Sequence, residues 1–520
     1  MENSRTKNSA LILTTGLIRQ VSTILLTFVS RTVFIRVLGA EILGINGLFT
    51  NILTLLTLSE LGIATAITFY LYEPIVQQNV ERINQLMRFY RTCYRTVGCI
   101  IIGAGILLAP FLPYIVNFEQ EVNINLYVVF LISVFNIAST YLFGGYKQTI
   151  FLANQEQYKA EKVNIIFAFL NCIAEITVLI IFKNYFIYLL TQLCMLILKN
   201  LCYVKIADKE YPYLKEKPQG KLDSKEIRKF FHDIYQVAIF KLGSQLLNAT
   251  SNIVISVLLG TVIVGYYSNY YLIISAMVTL YGVIIRSFTA GIGNVIVKET
   301  KEKQYFVYKQ LDFVNFITAA FFTICLAQLF NSFMRIWLGD VSSSYIFPQS
   351  VVVIISINYY FDTSCQILNT FREASGNFKV GYFLQVIAGI VNIVLSVIMG
   401  KLWGLQGILC SVLICKLGIT IIPFIKSIAN KVFQMSGQRF IICYMKNLLF
   451  TISSMLVIWY CCKPIHATNI FLFCLEIVIT ILIFCVLMMV IYRKNREFIS
   501  IKNRIFVIIK NMVLHVKKKR

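Results

Sequence analysis

The sequence predicts an all-α polytopic membrane protein of about fourteen transmembrane helices: two six-helix lobes in parallel repeat plus a C-terminal helix pair. Three observations predict this fold. First, the 520 residues are 58% hydrophobic and 14% charged, with a mean hydropathy of +0.73, whereas soluble domains hold about 45–50% apolar and ~25% charged residues. Second, apolar runs of the ~20 residues that cross a bilayer recur along the chain. Third, the two halves share an internal repeat.

Fourteen apolar runs are predicted to span the membrane, and the longest of them allow tilting or extension past the bilayer. They are 11–35, 42–70, 97–116, 126–152, 163–182, 185–206, 234–258, 262–295, 311–338, 346–370, 379–400, 404–425, 441–461 and 469–491. The predicted organisation is an N-terminal six-helix lobe (1–206), a cytoplasmic linker (207–230), a C-terminal six-helix lobe (231–430), an extra helix pair (431–492) and a basic cytoplasmic tail (493–520).

Loop charges predict the orientation. With a cytoplasmic N-terminus, inside loops carry most of the lysines and arginines. Outside loops carry few, mainly Lys183, Lys401 and Lys463, and FEQEVN (118–123) carries none. Both termini are therefore predicted to be cytoplasmic, and the basic, amphipathic tail is expected on the anionic inner leaflet. The net charge of +24 is mostly this orientation signal, so a nucleic-acid partner is not predicted.

The cysteines and histidines indicate no redox, metal or catalytic centre. The fourteen cysteines lie mostly within apolar runs without CxxC spacing, which favours packing roles. His232, His466 and His515 lie far apart in the sequence. No catalytic residue, metal ligand or cofactor is therefore predicted.

An internal repeat has an offset of 221 residues. VLGAEILGINGLF (37–49) reappears as LLGTVIVGYYSNY (258–270), and Asn171 corresponds to Asn392 in the fifth helix of each half. NQEQYK (154–159) and EASGNFK (373–379) match loosely at a similar offset. Each half has an even number of spans, so the halves enter the membrane with the same orientation and a substrate site is expected between them.

Two spans carry a polar stripe along one helical face, at about 100° per residue. In the first span the stripe comprises Arg19, Gln20, Thr23, Thr27, Ser30 and Arg31. In the seventh span it comprises Lys241, Gln245, Asn248, Asn252 and Ser256. The offset of 221 maps Gln20 onto Lys241 and Arg31 onto Asn252. The stripes therefore occupy equivalent faces of equivalent helices.

A charged stripe is disfavoured against lipid, since a central Lys or Arg costs about 2.5–3.5 kcal/mol on the insertion scale. Both stripes are therefore expected to line one water-filled, cationic cavity. The alternative is that their polar side chains form hydrogen bonds between packed helices. Phosphate fits such a cavity because guanidinium binds it through two parallel hydrogen bonds, and a carboxylate would also fit.

Other intramembrane charges are candidates with structural alternatives. Glu60, Glu175, Asp362 and Lys416 are coupling or gate candidates. Alternatively, Lys416 forms a structural ion pair and Glu175 and Asp362 serve as hydrogen-bonding packing residues. Arg286 is a further substrate-binding candidate, or a side chain that snorkels to headgroups.

Over residues 8–430 the chain resembles bacterial polysaccharide-biosynthesis flippases of the multidrug/oligosaccharidyl-lipid/polysaccharide exporter superfamily. The resemblance lies in RTVFIRVLGAEILGINGLFTNILTLLTLSELGIATAITFYLYEPI (31–75), in LWGLQGI (402–408) and in the twelve-plus-two layout. It implies a non-enzymatic flippase, a monomer in the bacterial cytoplasmic membrane. The implied cargo is an undecaprenyl-pyrophosphate-linked oligosaccharide, moved from the inner to the outer leaflet by alternating access.

The resemblance also implies site roles and partners. Arg19, Arg31 and Lys241, and less directly Arg286, would hold the pyrophosphate, while hydroxyl and amide groups of the stripes would meet sugar hydroxyls. Partners would be the lipid-linked oligosaccharide, membrane lipids, and the polymerase and glycosyltransferases of O-antigen, capsule or exopolysaccharide synthesis.

The sequence leaves three alternative functions open. A lipid II flippase of the same superfamily fits the fourteen-span layout. A cation-coupled multidrug exporter would require an acidic cavity. A membrane polysaccharide polymerase would require a large external loop, and the predicted external loops are short.

Overall fold

The computed structural model of the chain is 92% helical. The structure describes residues 2–57, 63–116, 125–154, 156–216, 218, 220, 222–228, 230, 231, 247, 251–339, 345–375, 377, 381–463 and 469–500. The side chains of residues 2–14 and of some later helical residues, including Arg286, fall outside this description. The described residues contain no β-strand, which confirms the predicted all-α fold class.

The first part of the chain forms eight helices. They are α1 (Glu2–Leu56), α2 (Ile63–Val76), α3 (Val80–Leu108), α4 (Leu112–Ile115), α5 (Leu126–Leu142), α6 (Gln148–Ala153), α7 (Gln157–Phe182) and α8 (Tyr185–Glu210). Asparagines begin three of them: the side chains of Asn79, Asn125 and Asn184 accept backbone N–H groups in the first turns of α3, α5 and α8. Such caps satisfy donors that lack an intrahelical partner, which fixes where each helix starts.

The remainder is a helical stretch over 251–259 followed by eight more helices. They are α9 (Thr261–Lys298), α10 (Lys301–Leu338), α11 (Gln349–Ser364), α12 (Gln366–Ala374), α13 (Tyr382–Ile414), α14 (Ile422–Ile428), α15 (Gly437–Cys462) and α16 (Ile470–Tyr492). Two π-helical segments, Cys415–Ile421 and Ala429–Phe433, flank α14.

Within the described residues, ten helices are long and apolar enough to cross a membrane, or eleven when the bent pair α5 and α6 is counted as one span. The chain is therefore a multi-pass membrane protein. Gly39 breaks α1 where the predicted spans 11–35 and 42–70 meet, and Trp403 and Gly404 break α13 between 379–400 and 404–425. Most of the predicted span 234–258 is outside the described residues, so the number fourteen stays a prediction.

The chain divides into two compact units. The first comprises Met1–Leu272 and Gln385–Gly404, and the second comprises Ile273–Leu384 and Leu405–Arg520. These boundaries differ from the predicted lobes 1–206 and 231–430, because the division falls inside α9 and α13. The predicted organisation into lobes, linker, extra helix pair and tail stays a prediction, which rests on the sequence repeat and the charge pattern.

In the first unit, α1 packs along α7, which in turn packs on α8. The outer face of α1 exposes apolar side chains, such as Ile18 and Leu25, while Ser30 is buried. This inversion of the soluble pattern is expected in a bilayer, where polar groups must find partners inside the protein.

The described part of the segment predicted as a cytoplasmic linker, 207–230, packs on α3 within the first unit. Glu226 pairs with Arg82 at the start of α3 at 2.6 Å. Nearby, the Asn84 amide donates to the Tyr213 carbonyl at 2.7 Å. These contacts attach the linker to the end of the unit that the charge pattern predicts to be cytoplasmic.

In the second unit, α10 is the central helix and packs on α11, α15 and α16. Its core is rich in aromatic rings, for example Tyr308 with Phe440 at 5.4 Å and Phe450 with Tyr492 at 5.2 Å between centroids. The buried Glu476 of α16 accepts a 2.7 Å hydrogen bond from Gln328 of α10. This bond attaches the last predicted span to the unit by a polar contact inside an otherwise apolar helix.

The 221-residue repeat is visible in the backbone. Gly39 and Gly260 both have positive φ, 82° and 92°, and Lys183 and Gly404, also 221 apart, have φ of 49° and 58°. Positive φ is rare outside glycine, so helix breaks at matching positions indicate that the two halves derive from one ancestral sequence.

The repeated glycines Gly44 and Gly265 meet at a close crossing inside the first unit. A Cβ on Gly44 would lie 1.8 Å from the Thr261 carbonyl oxygen, and a Cβ on Gly265 would lie 2.2 Å from the Ala40 carbonyl oxygen. Ala40 and Thr261 are themselves 221 apart. The crossing is therefore nearly symmetric, and only glycine allows the two backbones this close.

Candidate substrate-binding site

The polar stripe of α1 lines two adjoining pockets inside the first unit. The pocket near Arg19 has a volume of about 390 Å³ and the pocket near Arg31 about 370 Å³. Thr23, Asn171 and Gln192 line both pockets. The stripe thus borders a continuous row of polar groups contributed by α1, α7 and α8.

The pocket near Arg19 combines two cations with four side-chain amides. Lys199 of α8 faces it together with Arg19. The amides come from α5, α7 and α8 and belong to Asn136, Asn164, Asn171 and Gln192. An amide offers both donors and acceptors, so this wall can bind a polyhydroxylated group.

Arg19 forms an ion pair inside this region. Its Nε lies 2.5 Å from the Glu161 carboxylate of α7, and the side chains are 34% and 7% exposed. Glu161 therefore cancels much of the Arg19 charge. No described carboxylate pairs with Lys199, which leaves that ammonium as the stronger attraction for an anion in this pocket.

The pocket near Arg31 is built around the buried carboxylate of Glu175. That carboxylate accepts hydrogen bonds from Ser30 at 2.5 Å, Asn171 at 2.7 Å and Gln192 at 2.8 Å. Three donors satisfy the hydrogen-bonding capacity of this carboxylate inside an apolar bundle. Glu175 is thus a hydrogen-bonding centre between α1, α7 and α8, as in the packing interpretation offered for it above.

Arg31 is held by the start of α9. Its guanidinium donates a hydrogen bond to the side-chain amide oxygen of Asn269 at 3.1 Å and another to the Ser268 hydroxyl. These two neutral acceptors fix the orientation of the guanidinium at the edge of the pocket. Phe34 and Tyr188 pack edge to face beside it, with centroids 5.1 Å apart, and both line the pocket.

The remaining stripe residues of α1 differ in their contacts. The Thr27 hydroxyl, which lines the pocket near Arg31, donates to the Thr23 carbonyl at 2.7 Å. Gln20 is half-buried and lines neither of these two pockets. Arg36, off the stripe, is exposed.

The second predicted stripe is only partly described. Lys241, Gln245, Asn248 and Glu60 lie outside the described residues, as does the side chain of Arg286. Asn252 is buried, and Ser256 donates to the Ile115 carbonyl at 2.7 Å. Ser256 therefore packs helix against helix, and a cavity shared between the two stripes stays a prediction.

Asp362 and Lys416 bind each other in the second unit. The Lys416 ammonium lies 2.6 Å from the Asp362 carboxylate, where α11 faces the π-helical segment that follows α13. The ion pair that was an alternative for Lys416 is therefore present. π-Helical turns often occur at functional sites, so coupling and gating roles remain hypotheses for this pair.

Sequence reasoning missed the polar face of α7 and Lys199. Starting at Glu161, the residues Asn164, Ala168, Asn171 and Glu175 fall within an arc of about 80°, at 100° per residue. This face has the same helical periodicity as the polar stripe of α1 and was therefore predictable from residue spacing. Lys199 was visible as a charge in the interior of the predicted span 185–206, which marks a functional candidate in a membrane helix.

The described residues hold no group of three or more histidine, cysteine or acidic side chains arranged for a metal ion. The site instead offers cations, amides and hydroxyls inside an apolar exterior. Such a set can bind and orient a polar, anionic group through hydrogen bonds and ion pairs.

Comparison with solved structures shows the fold. The lipid II flippase MurJ, in an inward closed conformation, superposes with a TM-score of 0.67 at 16% identity, covering 92% of this chain and 98% of that one. A multidrug resistance MATE transporter of the MOP superfamily gives 0.63 when inward-facing, at 13% identity over 78% and 96%. An outward-facing structure of such a transporter gives 0.55, at 14% identity over 81% and 94%.

Among curated proteins, no relative matches this chain. A family model does match, over residues 6–288, which is more than half of the sequence, and it describes polysaccharide biosynthesis proteins. With the helical fold shared with MOP-superfamily transporters, this match confirms the resemblance drawn from the sequence. The chain belongs to the polysaccharide biosynthesis protein family.

Proposed function

We propose that this protein is a flippase that moves an undecaprenyl-pyrophosphate-linked oligosaccharide from the inner to the outer leaflet of the bacterial cytoplasmic membrane. The oligosaccharide would be a repeat unit of a surface polysaccharide such as O-antigen, capsule or exopolysaccharide. Family membership and a transporter fold support transport over enzymatic chemistry. The protein would act as a monomer beside glycosyltransferases and a polymerase.

The observation that carries this proposal is a cation in each of two adjoining polar pockets, inside a bundle whose outer surface is apolar. Arg31 borders one pocket, and Arg19 and Lys199 border the other. Pyrophosphate is the anionic group that guanidinium and ammonium side chains bind well when water is excluded. In this proposal Arg31 and Lys199 contact it directly, Arg19 does so while paired with Glu161, and Lys241 and Arg286 add further contacts.

The amides suit the sugar part of the same substrate. Asn136, Asn164 and Gln192, with the hydroxyls of Thr23 and Thr27, border the pockets. Sugar hydroxyls donate and accept hydrogen bonds, and so do amides, so a mixed wall can accept varied sugars. The polyprenyl chain would remain in the bilayer while the headgroup crosses by alternating access.

A second substrate of the same chemical class is lipid II. The observation in its favour is the similarity to the lipid II flippase, which covers 92% of this chain. A cationic drug is disfavoured as cargo, because the three cations that border the pockets outnumber the two carboxylates beside them, those of Glu161 and Glu175. Cells depleted of their own lipid II flippase distinguish the two lipid substrates: growth rescued by this chain would identify lipid II.

Several groups are candidates to couple transport to an energy source. Glu175 is a buried carboxylate of the first unit, Asp362 pairs with Lys416 in the second, and Glu60 is the third acidic candidate. Proton or sodium movement at these acids is one route. The membrane potential acting on a charged site is the other.

Replacing Arg31 tests the pyrophosphate contact. In cells whose own gene is deleted, Arg31→Ala should abolish surface polymer at normal protein levels, because the guanidinium is lost where the anion would bind. Arg36→Ala, on the same helix but exposed and off the stripe, should restore full display. Polymer is measured by surface staining and the protein by immunoblot.

Normal polymer display by Arg31→Ala would remove the pyrophosphate role of this residue. Equal loss in Arg31→Ala and Arg36→Ala would point to general damage to α1. A charge-conserving pair adds a second test: Lys241→Arg should retain more display than Lys241→Gln.

A further inference from the structure

A large cavity lies in the second unit and shares no lining residue with the two pockets that α1 lines. Its volume is about 910 Å³, at the upper end of the ~300–1,000 Å³ typical of ligand pockets. It is enclosed by α10, by the end of α11 and the start of α12, by the first half of α15 and by the end of α16. We call it the aromatic pocket.

Aromatic rings form the inner wall of the aromatic pocket. Tyr308, Phe440 and Tyr444 are buried and line it. Tyr308 and Phe440 stack with centroids 5.4 Å apart. The rings restrain one another, so the wall is a preformed apolar surface of the kind that receives a hydrocarbon chain.

Cationic side chains line the opening of the aromatic pocket. Arg439 and Lys446 are exposed, line the pocket and lie seven residues apart on α15, so they project from the same face. Lys309 of α10 lines it as well but lies 3.9 Å from Glu497 and over the Tyr305 ring. Asp312 is the other acid of the lining. Arg439 and Lys446 are therefore the cations best placed to attract an anion from outside.

The pocket also opens sideways through apolar residues. Ile442, Leu449 and Ile491 line it, and they are 56%, 63% and 55% exposed. In a membrane such residues face acyl chains. The opening lies at helix ends that the charge pattern predicts to be cytoplasmic, where the leaflet carries anionic lipids.

These features match an amphiphile with a hydrocarbon chain and an anionic head. Inorganic phosphate would use the cations but not the aromatic wall, and a neutral lipid would use the wall but not the cations. We propose that the aromatic pocket binds an anionic phospholipid of the inner leaflet, with an acyl chain along Tyr308 and Phe440 and the phosphate on Arg439 and Lys446. The proposal does not depend on the identity of the transported substrate.

Lipid-dependent thermal stability tests the proposal. The purified full chain in an uncharged detergent is heated after addition of phosphatidylglycerol or phosphatidylcholine with the same acyl chains. Phosphatidylglycerol should raise the melting temperature by a few degrees, because a ligand of the folded state stabilises it, and phosphatidylcholine should raise it much less. The double variant Arg439→Glu/Lys446→Glu should lose the difference between the two lipids.

Two further variants keep the test decisive. Lys494→Glu removes an exposed cation just beyond α16 that does not line the pocket, and it should respond as the wild type does. Cys443→Trp narrows the mouth without changing its charge, and it should lose the phosphatidylglycerol response even if the double variant fails to fold. Mass spectrometry of co-purified lipid should show anionic phospholipid on the wild type and Lys494→Glu.

Three results would each overturn the proposal. One is an equal response to both phospholipids, and another is a full phosphatidylglycerol response in both Cys443→Trp and Arg439→Glu/Lys446→Glu. The third is stabilisation by undecaprenyl phosphate but not by phosphatidylglycerol, which would assign the pocket to a polyprenyl chain.

Discussion

Arg19 and Arg31 lie on the same polar stripe of α1 and contact different helices. Arg19 is paired with Glu161 at 2.5 Å, whereas the two described hydrogen bonds of Arg31 go to neutral groups. The stripe could be predicted from residue spacing alone. The pairing could not, because Glu161 lies on α7 and only the packing of α7 on α1 brings the two together.

Removing Arg19 should therefore affect stability as well as transport. Arg19→Ala leaves Glu161 buried without its cation, and breaking a fully buried pair costs about 3–5 kcal/mol. The cost here should be smaller, because Arg19 is 34% exposed. Thermal unfolding in detergent measures it.

The double variant Arg19→Ala/Glu161→Gln separates the two roles. Its stability should return towards that of the wild type, because no unpaired charge is left, while polymer display should stay low. Recovery of both properties would make Arg19 a packing residue without contact to the substrate.

At the scale of elements, the periodicity that identified α1 also describes α7. Its polar residues, from Glu161 to Glu175, face α1 and α8 and carry most of the hydrogen bonds around the two pockets. Local spacing predicts which face of a helix is polar. It does not predict which helices bring their polar faces together, because that depends on contacts distant in sequence.

The glycine crossing between α1 and α9 gives a prediction of its own. Gly44→Ala should destabilise the protein by about 1–3 kcal/mol, the usual cost of overpacking, because the new Cβ would meet the Thr261 carbonyl. Thermal unfolding checks this change against Gly103→Ala. Gly103 has open space around it, and its replacement should be neutral or stabilising by about 0.5–1 kcal/mol.

A Gly44→Ala protein as stable as Gly103→Ala would show that the two backbones separate at little cost. The repeat itself was predictable from the shared LG…G spacing. That its two copies would pack against each other was not, since a sequence repeat does not specify contacts between its copies.

At the scale of the whole molecule, composition and hydropathy predicted the all-α membrane fold correctly, because a bilayer constrains span length and polarity strongly. The compact units were less predictable: α9 and α13 are each divided between them, and charge patterns carry no information on such packing. For the candidate pockets, spacing predicted the α1 stripe that lines them and missed Asn164, Lys199 and the Arg19 partner Glu161, while the binding roles stay predictions.

The proposed transport requires that the cation- and amide-lined pockets of the first unit hold the pyrophosphate headgroup while it crosses the membrane. The most direct measurement is flipping of an undecaprenyl-pyrophosphate oligosaccharide in liposomes containing wild type or Lys199→Gln protein. Loss of a charge-assisted hydrogen bond, about 1.5–3 kcal/mol, predicts a rate lowered about tenfold or more in the variant, with Lys199→Arg in between. Equal flipping rates for wild type and Lys199→Gln, or no flipping by the wild type, would contradict this account.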